Sequence, residues 1–281
     1  MKFLFLLPLL ISISACQKDS KADNANEAKQ YLDVSYGTDA RHKMDVYLPA
    51  NRNTTDTKIM ILIHGGAWMS GDKADFTAFV DTLKKRLPDY AVFNINYRLA
   101  SMSGNYFPTQ ENDVKAAYDF IISKADEYNV SKKVVILGAS AGGHLALLQG
   151  YKHAPAGQVK AVIDFFGPTD IASLHANTSD PALVPLIETL LSGSPSTNPS
   201  LYASSSPINF VTAQSPATII LQGGTDPLVP FTQSTSLRDQ LQQNGVTNEY
   251  VYYPSEGHGW FGTTLTHSFN EIEGFLETNV N

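Results

Sequence analysis

Residues 134–148 read VVILGASAGGHLALL, which is an apolar run, a turn of small residues and a second apolar run. The first run predicts a short buried strand at 134–137, and the second predicts a helix at 141–151. The turn, Gly138-Ala139-Ser140-Ala141-Gly142, matches Gly-x-Ser-x-Gly. Its glycines permit a sharp strand-to-helix turn that strains the serine backbone and exposes the hydroxyl. Ser140 is therefore a candidate nucleophile, with a purely structural turn as the alternative.

The alternation of strands and helices continues on both sides of this stretch. Further strands are predicted at 31–36, 43–48, 58–64, 90–96, 159–165, 218–222 and 249–253. Further helices are predicted at 75–87, 110–128, 232–243 and 263–277. The continuous apolar run at 58–64 is typical of a strand buried on both faces, while the short turn at 37–39 predicts an antiparallel edge. The sequence predicts an α/β fold with a mostly parallel eight-stranded sheet and helices on both faces.

The pattern weakens at about 168–215, which is rich in Ser, Pro, Thr and Asn. One helical piece, at 181–192, stands out. We interpret this segment as a small lid inserted over the sheet, and residues 31–281 as one domain that includes the lid.

The first residues resemble an export signal of the lipoprotein type. Lys2 precedes an apolar run at 3–13 that is too short to span a membrane comfortably, and Ser14-Ala15-Cys16 resembles a lipobox. We expect a signal peptide at 1–15, lipidation at Cys16 and a polar, flexible tether at 16–30. These features predict a bacterial lipoprotein outside the cytoplasm, anchored to the membrane. A plain signal peptide with an incidental cysteine is the alternative.

Composition indicates which partners the protein can bind and whether a disulfide can stabilise it. The formal net charge is −7, and no basic run of five or more residues occurs, so we predict no binding of nucleic acid. The chain holds a single cysteine, which excludes a disulfide within it.

A serine nucleophile needs a base and an acid, which on this type of fold follow it along the chain. His258 lies in a glycine-flanked loop after the last predicted strand and is our candidate base. His144 lies too close to Ser140 in sequence to act as the base, and His267 falls in a helical stretch.

The candidate acid is Asp226, on a tight loop after the predicted strand at 218–222. Its expected role is to hold the imidazole tautomer and to stabilise the imidazolium. Asp170 and Glu256 compete, but Asp170 is the better candidate for a helix cap and Glu256 is only two residues from the base.

The loop His64-Gly65-Gly66-Ala67-Trp68 follows the buried strand at 58–64. Consecutive glycines let backbone N–H groups approach a ligand closely. We expect the N–H groups of Gly66, Ala67 and Ala141 to form an oxyanion hole. We expect His64 itself to be structural.

These motifs resemble those of the hormone-sensitive-lipase-like esterases of the α/β-hydrolase fold. The resemblance is carried by His64–Trp68 and Gly138–His144 together with Gly71-Asp72-Lys73, Asn96-Tyr97-Arg98-Leu99, Phe107-Pro108 and Asp113. It is strongest to the bacterial carbohydrate esterases of the acetyl-xylan and feruloyl type. Ala67 stands where that family usually has a third glycine. In that pattern we interpret Arg98 and Asp113 as structural partners.

The resemblance implies a serine carboxylesterase that uses no cofactor and no metal. Its implied substrates are small-acyl esters, including acetylated or feruloylated carbohydrates. Peptide hydrolysis is disfavoured because related prolyl-peptidases carry a large extra domain, for which we expect no room in this sequence. An arylformamidase-like amide hydrolase would use the same residues and stays open, as does an inactive, lipid-anchored binding module.

Overall fold

The computed structural model describes residues 25–280, and its centre is one eight-stranded sheet. The strands are β1 (Lys29–Ser35), β2 (Lys43–Leu48), β3 (Lys58–Ile63), β4 (Tyr90–Ile95), β5 (Val134–Ala139), β6 (Val159–Phe165), β7 (Ala217–Gly223) and β8 (Asn248–Tyr253). Their order is β1-β2-β4-β3-β5-β6-β7-β8. β1 and β2 pair antiparallel, as do β2 and β4, and all the other pairs are parallel. The predicted sheet and its antiparallel edge are confirmed.

Helices cover both faces of this sheet, as predicted. They are α1 (Thr77–Arg86), α2 (Thr109–Lys124), α3 (Ala141–Leu148), α4 (Ile171–Asn177), α5 (Leu183–Leu190), α6 (Pro199–Ser204), α7 (Thr232–Gln243) and α8 (Gly262–Asn279). A π-helical turn at Gln149–His153 extends α3, and short 3-10 turns lie at Lys73–Phe76 and Pro207–Phe210.

The continuous apolar sequence of the central strands reflects burial on two sides. In β3, Ile59 and Ile61 pack in the cluster that contains α2, α3 and α7, whereas Met60 and Leu62 pack in the cluster that contains α1 and α8. Side chains alternate between the two faces of a strand, so each face needs its own apolar set. This double core fixes the carboxyl ends of the parallel strands, where the loops that carry the candidate site emerge.

The chain enters the sheet earlier than the sequence predicted. β1 begins at Lys29, so the last two residues assigned to the tether belong to an edge strand, where backbone pairing tolerates a polar sequence. The Arg52 guanidinium also donates to the carbonyl of Glu27 (2.6 Å). The predicted signal peptide at 1–15, Cys16 and the tether as far as residue 24 lie outside the described residues. From residue 25 to 280, no helix is both long and apolar enough to span a bilayer.

The segment predicted as a lid contains more helix than its sequence indicated. The helix predicted at 181–192 is present as α5, and α4 and α6 flank it. Asp170 caps α4 by accepting a hydrogen bond from the Ser173 N–H (3.0 Å), the capping role predicted for it. The segment thus forms a small helical layer with three α-helices, where one was predicted.

Candidate active site

Ser140 lies at the sharp turn between β5 and α3. Its backbone has φ 55° and ψ −123°, a left-handed conformation that is rare for a residue with a side chain. The turn requires glycine beside it, because a Cβ on Gly142 would lie 2.0 Å from the Ile63 carbonyl oxygen. A Cβ on Gly138 would lie 2.1 Å from the Gly142 carbonyl oxygen. Close backbone packing therefore holds the strained serine in place.

His258 lies between Ser140 and Asp226. Its Nε2 is 2.8 Å from Ser140 Oγ, and its Nδ1 is 2.7 Å from Asp226 Oδ2. The Phe166 ring packs against the imidazole, with centroids 4.7 Å apart. The structure thus brings together the three side chains that the sequence proposed, although they come from separate loops after β5, β7 and β8.

The Asp226 carboxylate is oriented by its own loop. Its Oδ1 accepts hydrogen bonds from the N–H groups of Leu228 (2.9 Å) and Val229 (3.0 Å). Gln222 donates to Oδ2 at 3.3 Å. These contacts aim Oδ2 at His258, which suits a group that fixes the imidazole and compensates its charge.

The residues that competed for these roles are engaged elsewhere. Glu256 accepts a hydrogen bond from Thr264 (2.7 Å), and His267 lies on the exposed side of α8 beside Tyr253 and Glu271. Asp170 caps α4, as described above. The geometry therefore singles out Asp226 and His258 as the partners of Ser140.

The loop after β3 lies beside Ser140 in an unusual conformation. Gly66, Ala67 and Trp68 all have positive φ, at 106°, 49° and 60°. Within residues 25–280, the N–H groups of Gly66, Ala67 and Ala141 donate to no protein acceptor, so they are available to a ligand. Ala141 is the first residue of α3, where the helix dipole favours negative charge.

His64 supports this loop from inside. The ring is fully buried, stacks on Tyr97 with centroids 4.4 Å apart, and its Nδ1 lies 2.7 Å from the Gly65 carbonyl oxygen. Burial lowers the pKa of His64, so the ring is neutral at pH 7. These contacts fit a structural residue, as expected.

A cavity of about 440 Å³ opens over Ser140 and His258. The loop after β3 forms one side, while Leu174 and Leu183 from the lid and Leu228 and Val229 from the Asp226 loop contribute apolar side chains. The volume and lining suit a small, largely apolar group next to the serine.

His144 links this loop to the lid, a role that sequence reasoning missed. The Trp68 indole N–H donates to His144 Nδ1 (3.1 Å), and His144 Nε2 lies 2.6 Å from the Ser205 carbonyl oxygen. Since Nδ1 accepts, Nε2 carries the proton and donates a hydrogen bond to the Ser205 carbonyl oxygen. Burial lowers the pKa of His144 to about 4, which keeps this neutral tautomer at pH 7. The only signal in the sequence was a histidine two residues after the turn and a tryptophan three residues after Gly65.

Asp164 is a second residue that the sequence did not single out. It lies at the end of β6 behind α3, fully buried, with Oδ1 accepting from the Gly167 N–H (3.0 Å). Oδ2 has no partner within the described residues. Burial raises the pKa of Asp164 to about 7.

Arg98 and Asp113 form the structural pair that we expected. The Arg98 guanidinium donates to both Asp113 oxygens, with the shortest contact 2.6 Å, and Asp113 also accepts from the Arg98 N–H (2.9 Å). This fork geometry ties the segment after β4 to α2.

Comparison with known proteins places this geometry in a family. The BD-FAE family profile matches residues 44–241, which is most of the chain. The chain belongs to the BD-FAE family. It is 30% identical over 79% of its length to the probable carboxylic ester hydrolase LipM of Mycobacterium tuberculosis (strain ATCC 25618 / H37Rv), covering 53% of that protein. The chain spans about half the length of the curated relatives it matches.

Solved structures extend this similarity. A truncated carbohydrate esterase from gut microbiota is 26% identical with a TM-score of 0.73, over 92% of this chain and 99% of that one. The bifunctional GH43-CE protein of Bacteroides eggerthii is 28% identical with a TM-score of 0.74, over 87% of this chain and 38% of that one. The α/β-hydrolase fold and the resemblance to carbohydrate esterases are confirmed for this BD-FAE member.

Within the part of the chain that the structure describes, no metal-binding cluster accompanies the site. Among residues 25–280, no group of three or more His, Cys, Asp or Glu side chains is arranged to hold a metal ion.

Proposed function

We propose that the protein is a serine carboxylesterase in which Ser140, His258 and Asp226 form the catalytic triad. The observation that carries the proposal is the continuous chain Ser140 Oγ–His258–Asp226, with separations of 2.8 and 2.7 Å. A serine hydroxyl becomes a competent nucleophile when a base within hydrogen-bond reach accepts its proton.

In the proposed reaction, Ser140 Oγ attacks the ester carbonyl while His258 Nε2 takes the proton. The negative charge on the carbonyl oxygen is held by the N–H groups of Gly66, Ala67 and Ala141. His258 then protonates the departing alcohol, which leaves an acyl group on Ser140. A water molecule, activated by the same histidine, releases the acid and restores the enzyme. Asp226 stabilises the imidazolium in both halves.

The proposed substrates are esters of small acyl groups, with acetylated or feruloylated carbohydrates as the class. The 440 Å³ cavity next to Ser140 supports a small acyl group, because the side chains of Leu174 and Leu183 occupy part of its lining. The carbohydrate side rests on the relatives: a truncated carbohydrate esterase matches along 99% of its own chain.

Hydrolysis rates test this proposal. We expect p-nitrophenyl acetate and butyrate to be cleaved much faster than the octanoate, and acetate to be released from acetylated xylan. Loss of all four activities to background in Ser140→Ala would support the nucleophile. Equal rates in wild type and Ser140→Ala would contradict it.

An arylformamidase would use the same three side chains, so only its substrate distinguishes it from an esterase. Faster hydrolysis of an aryl formamide than of p-nitrophenyl acetate would replace the ester assignment. An inactive binding module would hydrolyse neither class.

For the first residues, we propose lipidation at Cys16 and display outside the cytoplasm on a membrane. The support is the sequence alone, through the apolar run and Ser14-Ala15-Cys16. Fractionation tests it: the wild type should sediment with membranes and Cys16→Ala should be released. Membrane retention of Cys16→Ala would contradict the proposal.

A further inference from the structure

Two exposed aromatic rings, Tyr252 on β8 and Phe231 before α7, lie at the edge of the sheet next to the candidate site, with the partly buried Tyr250 beside them. The Tyr252 and Phe231 rings are 6.0 Å apart at an interplanar angle of 64°, so Phe231 stands as a wall beside Tyr252. Tyr250 lies 6.0 Å from Tyr252 on the same face of the strand, and the Arg238 guanidinium lies over Tyr250 at 5.4 Å. We call these four residues the aromatic strip.

The strip continues the loop that carries Asp226. Phe231 follows that loop directly and precedes α7, so it lies at the carboxyl edge of the sheet, where Ser140 and His258 also lie. The Tyr252 hydroxyl rests against Gly224, since a Cβ on that glycine would lie 2.5 Å from it. The inner side of the same loop supplies Leu228 and Val229 to the cavity over Ser140. One loop therefore separates the strip from the candidate site.

The rings of the strip are more exposed than folding requires. Phe231 is 43% exposed and Tyr252 is 42% exposed, although apolar faces of this size normally contribute to a core. Scattered exposed rings need no explanation, but rings in contact with one another at the edge of a catalytic cleft are typical of a binding surface.

The charge and shape of the strip limit the chemical class of its ligand. Arg238 pairs with Asp239 at 2.7 Å, so the charge of the strip is balanced and selects neither an anionic nor a cationic partner. The faces of a pyranose ring carry C–H groups, which stack on the negative face of an aromatic ring, while its hydroxyls reach polar groups at the rim. Two rings set at an angle provide a floor and a wall for such a unit.

We propose that the aromatic strip binds neutral glycan chains and presents their esters to Ser140. The presentation of esters to Ser140 rests on the proposed function, whereas glycan binding by the strip does not. The inference extends the proposed substrate from a small ester to a polymer that lies across the Asp226 loop. Sugar units beyond the ester would stack on Tyr252 against Phe231, with Arg238 at the far end.

Glycan binding can be measured without hydrolysis in the Ser140→Ala background. The probe is soluble acetylated xylan in a native gel, and its dissociation constant follows from the mobility at increasing polymer concentration. We expect Phe231→Ala with Tyr252→Ala to raise that constant at least about tenfold, since exposed aromatic anchors carry much of a contact's energy. Tyr252→Phe should bind as the parent does, because it keeps the stacking face.

Tyr31→Ala is the matched control. Tyr31 is 38% exposed and lies on β1, the opposite edge of the same sheet. We expect its loss to leave binding unchanged, with thermal unfolding measured for every variant to confirm that each is folded.

The outcomes separate this inference from the proposed function. Glycan binding by the strip would be contradicted if the Ser140→Ala parent migrated without retardation, or if the double variant were fully retarded. Either result would count even if the wild type hydrolyses esters. Loss of binding in Tyr31→Ala would overturn it equally. Binding to anionic phospholipid vesicles that disappears with the two rings would assign the strip to a lipid surface instead. Retardation that depends on the two rings supports glycan binding by the strip, even if the protein has no esterase activity.

Discussion

Two walls that enclose the candidate cavity are built in different ways. The sheet wall consists of the loop 64–68, the turn around Ser140 and the Asp226 and His258 loops, all held by backbone packing at the ends of β3, β5, β7 and β8. The lid wall consists of α4 and α5, which present the side chains of Leu174 and Leu183. In the sheet wall, an added Cβ meets main-chain atoms that cannot move aside. In the lid wall, Leu174 and Leu183 contribute side chains rather than main chain to the cavity, and a smaller side chain can replace them.

Under the proposed function, this difference gives the two walls separate tasks. The reacting groups must hold their positions within a fraction of an ångström, which the strand ends and their glycines provide. The proposed fit of the acyl group depends only on the volume that the lid leucines leave in the cavity. Changes in the sheet wall should therefore reduce turnover for every substrate, and changes in the lid wall should alter the ratio between substrates.

Among the changes that compare the two walls, the largest effect is expected from Asp226→Asn. An amide there removes the charge that stabilises the imidazolium and favours the wrong tautomer, so kcat should fall by roughly 10⁴-fold. Asp170→Asn is the control, because asparagine also caps helices well and α4 should stay intact. A loss of similar size in both variants would show that the two walls do not differ as described.

Asp164, on β6 behind α3, provides a pH-dependent test of the packing that supports the sheet wall. Burial raises the pKa of Asp164 to about 7, so the folded protein keeps this proton while the unfolded chain loses it near pH 4. The free energy of unfolding should therefore fall as pH rises from about 4 to 7 and stay low above that range. Asp164→Asn has no such proton to lose and keeps an acceptor for the Gly167 N–H.

Thermal unfolding of the two proteins at several pH values checks this prediction. The asparagine variant should gain stability over the wild type at pH 8, by a few kcal/mol, and the gain should shrink towards pH 4. A difference that is independent of pH would contradict a buried protonated carboxyl.

A third test compares two glycines. Gly142→Ala places a Cβ 2.0 Å from the Ile63 carbonyl oxygen, so it should cost at least about 1–3 kcal/mol of stability and lower kcat. Gly274→Ala on α8 meets nothing within 4 Å and should stabilise by about 0.5–1 kcal/mol. Denaturant unfolding measures both. Equal effects of the two substitutions would mean that the turn tolerates a backbone shift.

The smallest effect is expected in the lid wall. Leu183→Ala enlarges the cavity, so kcat/KM for p-nitrophenyl butyrate relative to acetate should rise by about tenfold, a value typical of one or two methylene groups. Leu186→Ala, one turn further along α5 on its exposed side, should leave the ratio unchanged. A fall in both rates without a change in their ratio would assign the lid to catalysis rather than to selection.

The two walls also differed in how well their sequences predicted them. In the sheet wall, strand periodicity and the glycine motifs specify local structure, so β5, α3 and the residues grouped around Ser140 were predicted from spacing and chain order. The strand ends shifted by one or two residues, because pairing with a neighbouring strand decides where a strand stops. β1 starts at Lys29 for this reason, although its first residues are polar.

The lid wall depends on contacts that no local pattern contains. The Ile171 N–H donates to Ser206 Oγ (2.9 Å), and the Phe107 N–H donates to the Leu190 carbonyl (2.8 Å), across wide sequence separations. His144 and Ser205 are likewise 61 residues apart. α4 has seven residues and α6 has six, too few for a clear helical periodicity, so only their packing reveals them.

The central claim is that Ser140 is an activated nucleophile, and labelling with a fluorophosphonate probe tests it most directly. Such probes react with serines that a neighbouring base has activated. We expect one covalent adduct per molecule, located on Ser140 by peptide mass spectrometry, and no adduct in Ser140→Ala or in His258→Ala. An unlabelled wild type, or an adduct on another residue, would contradict the account.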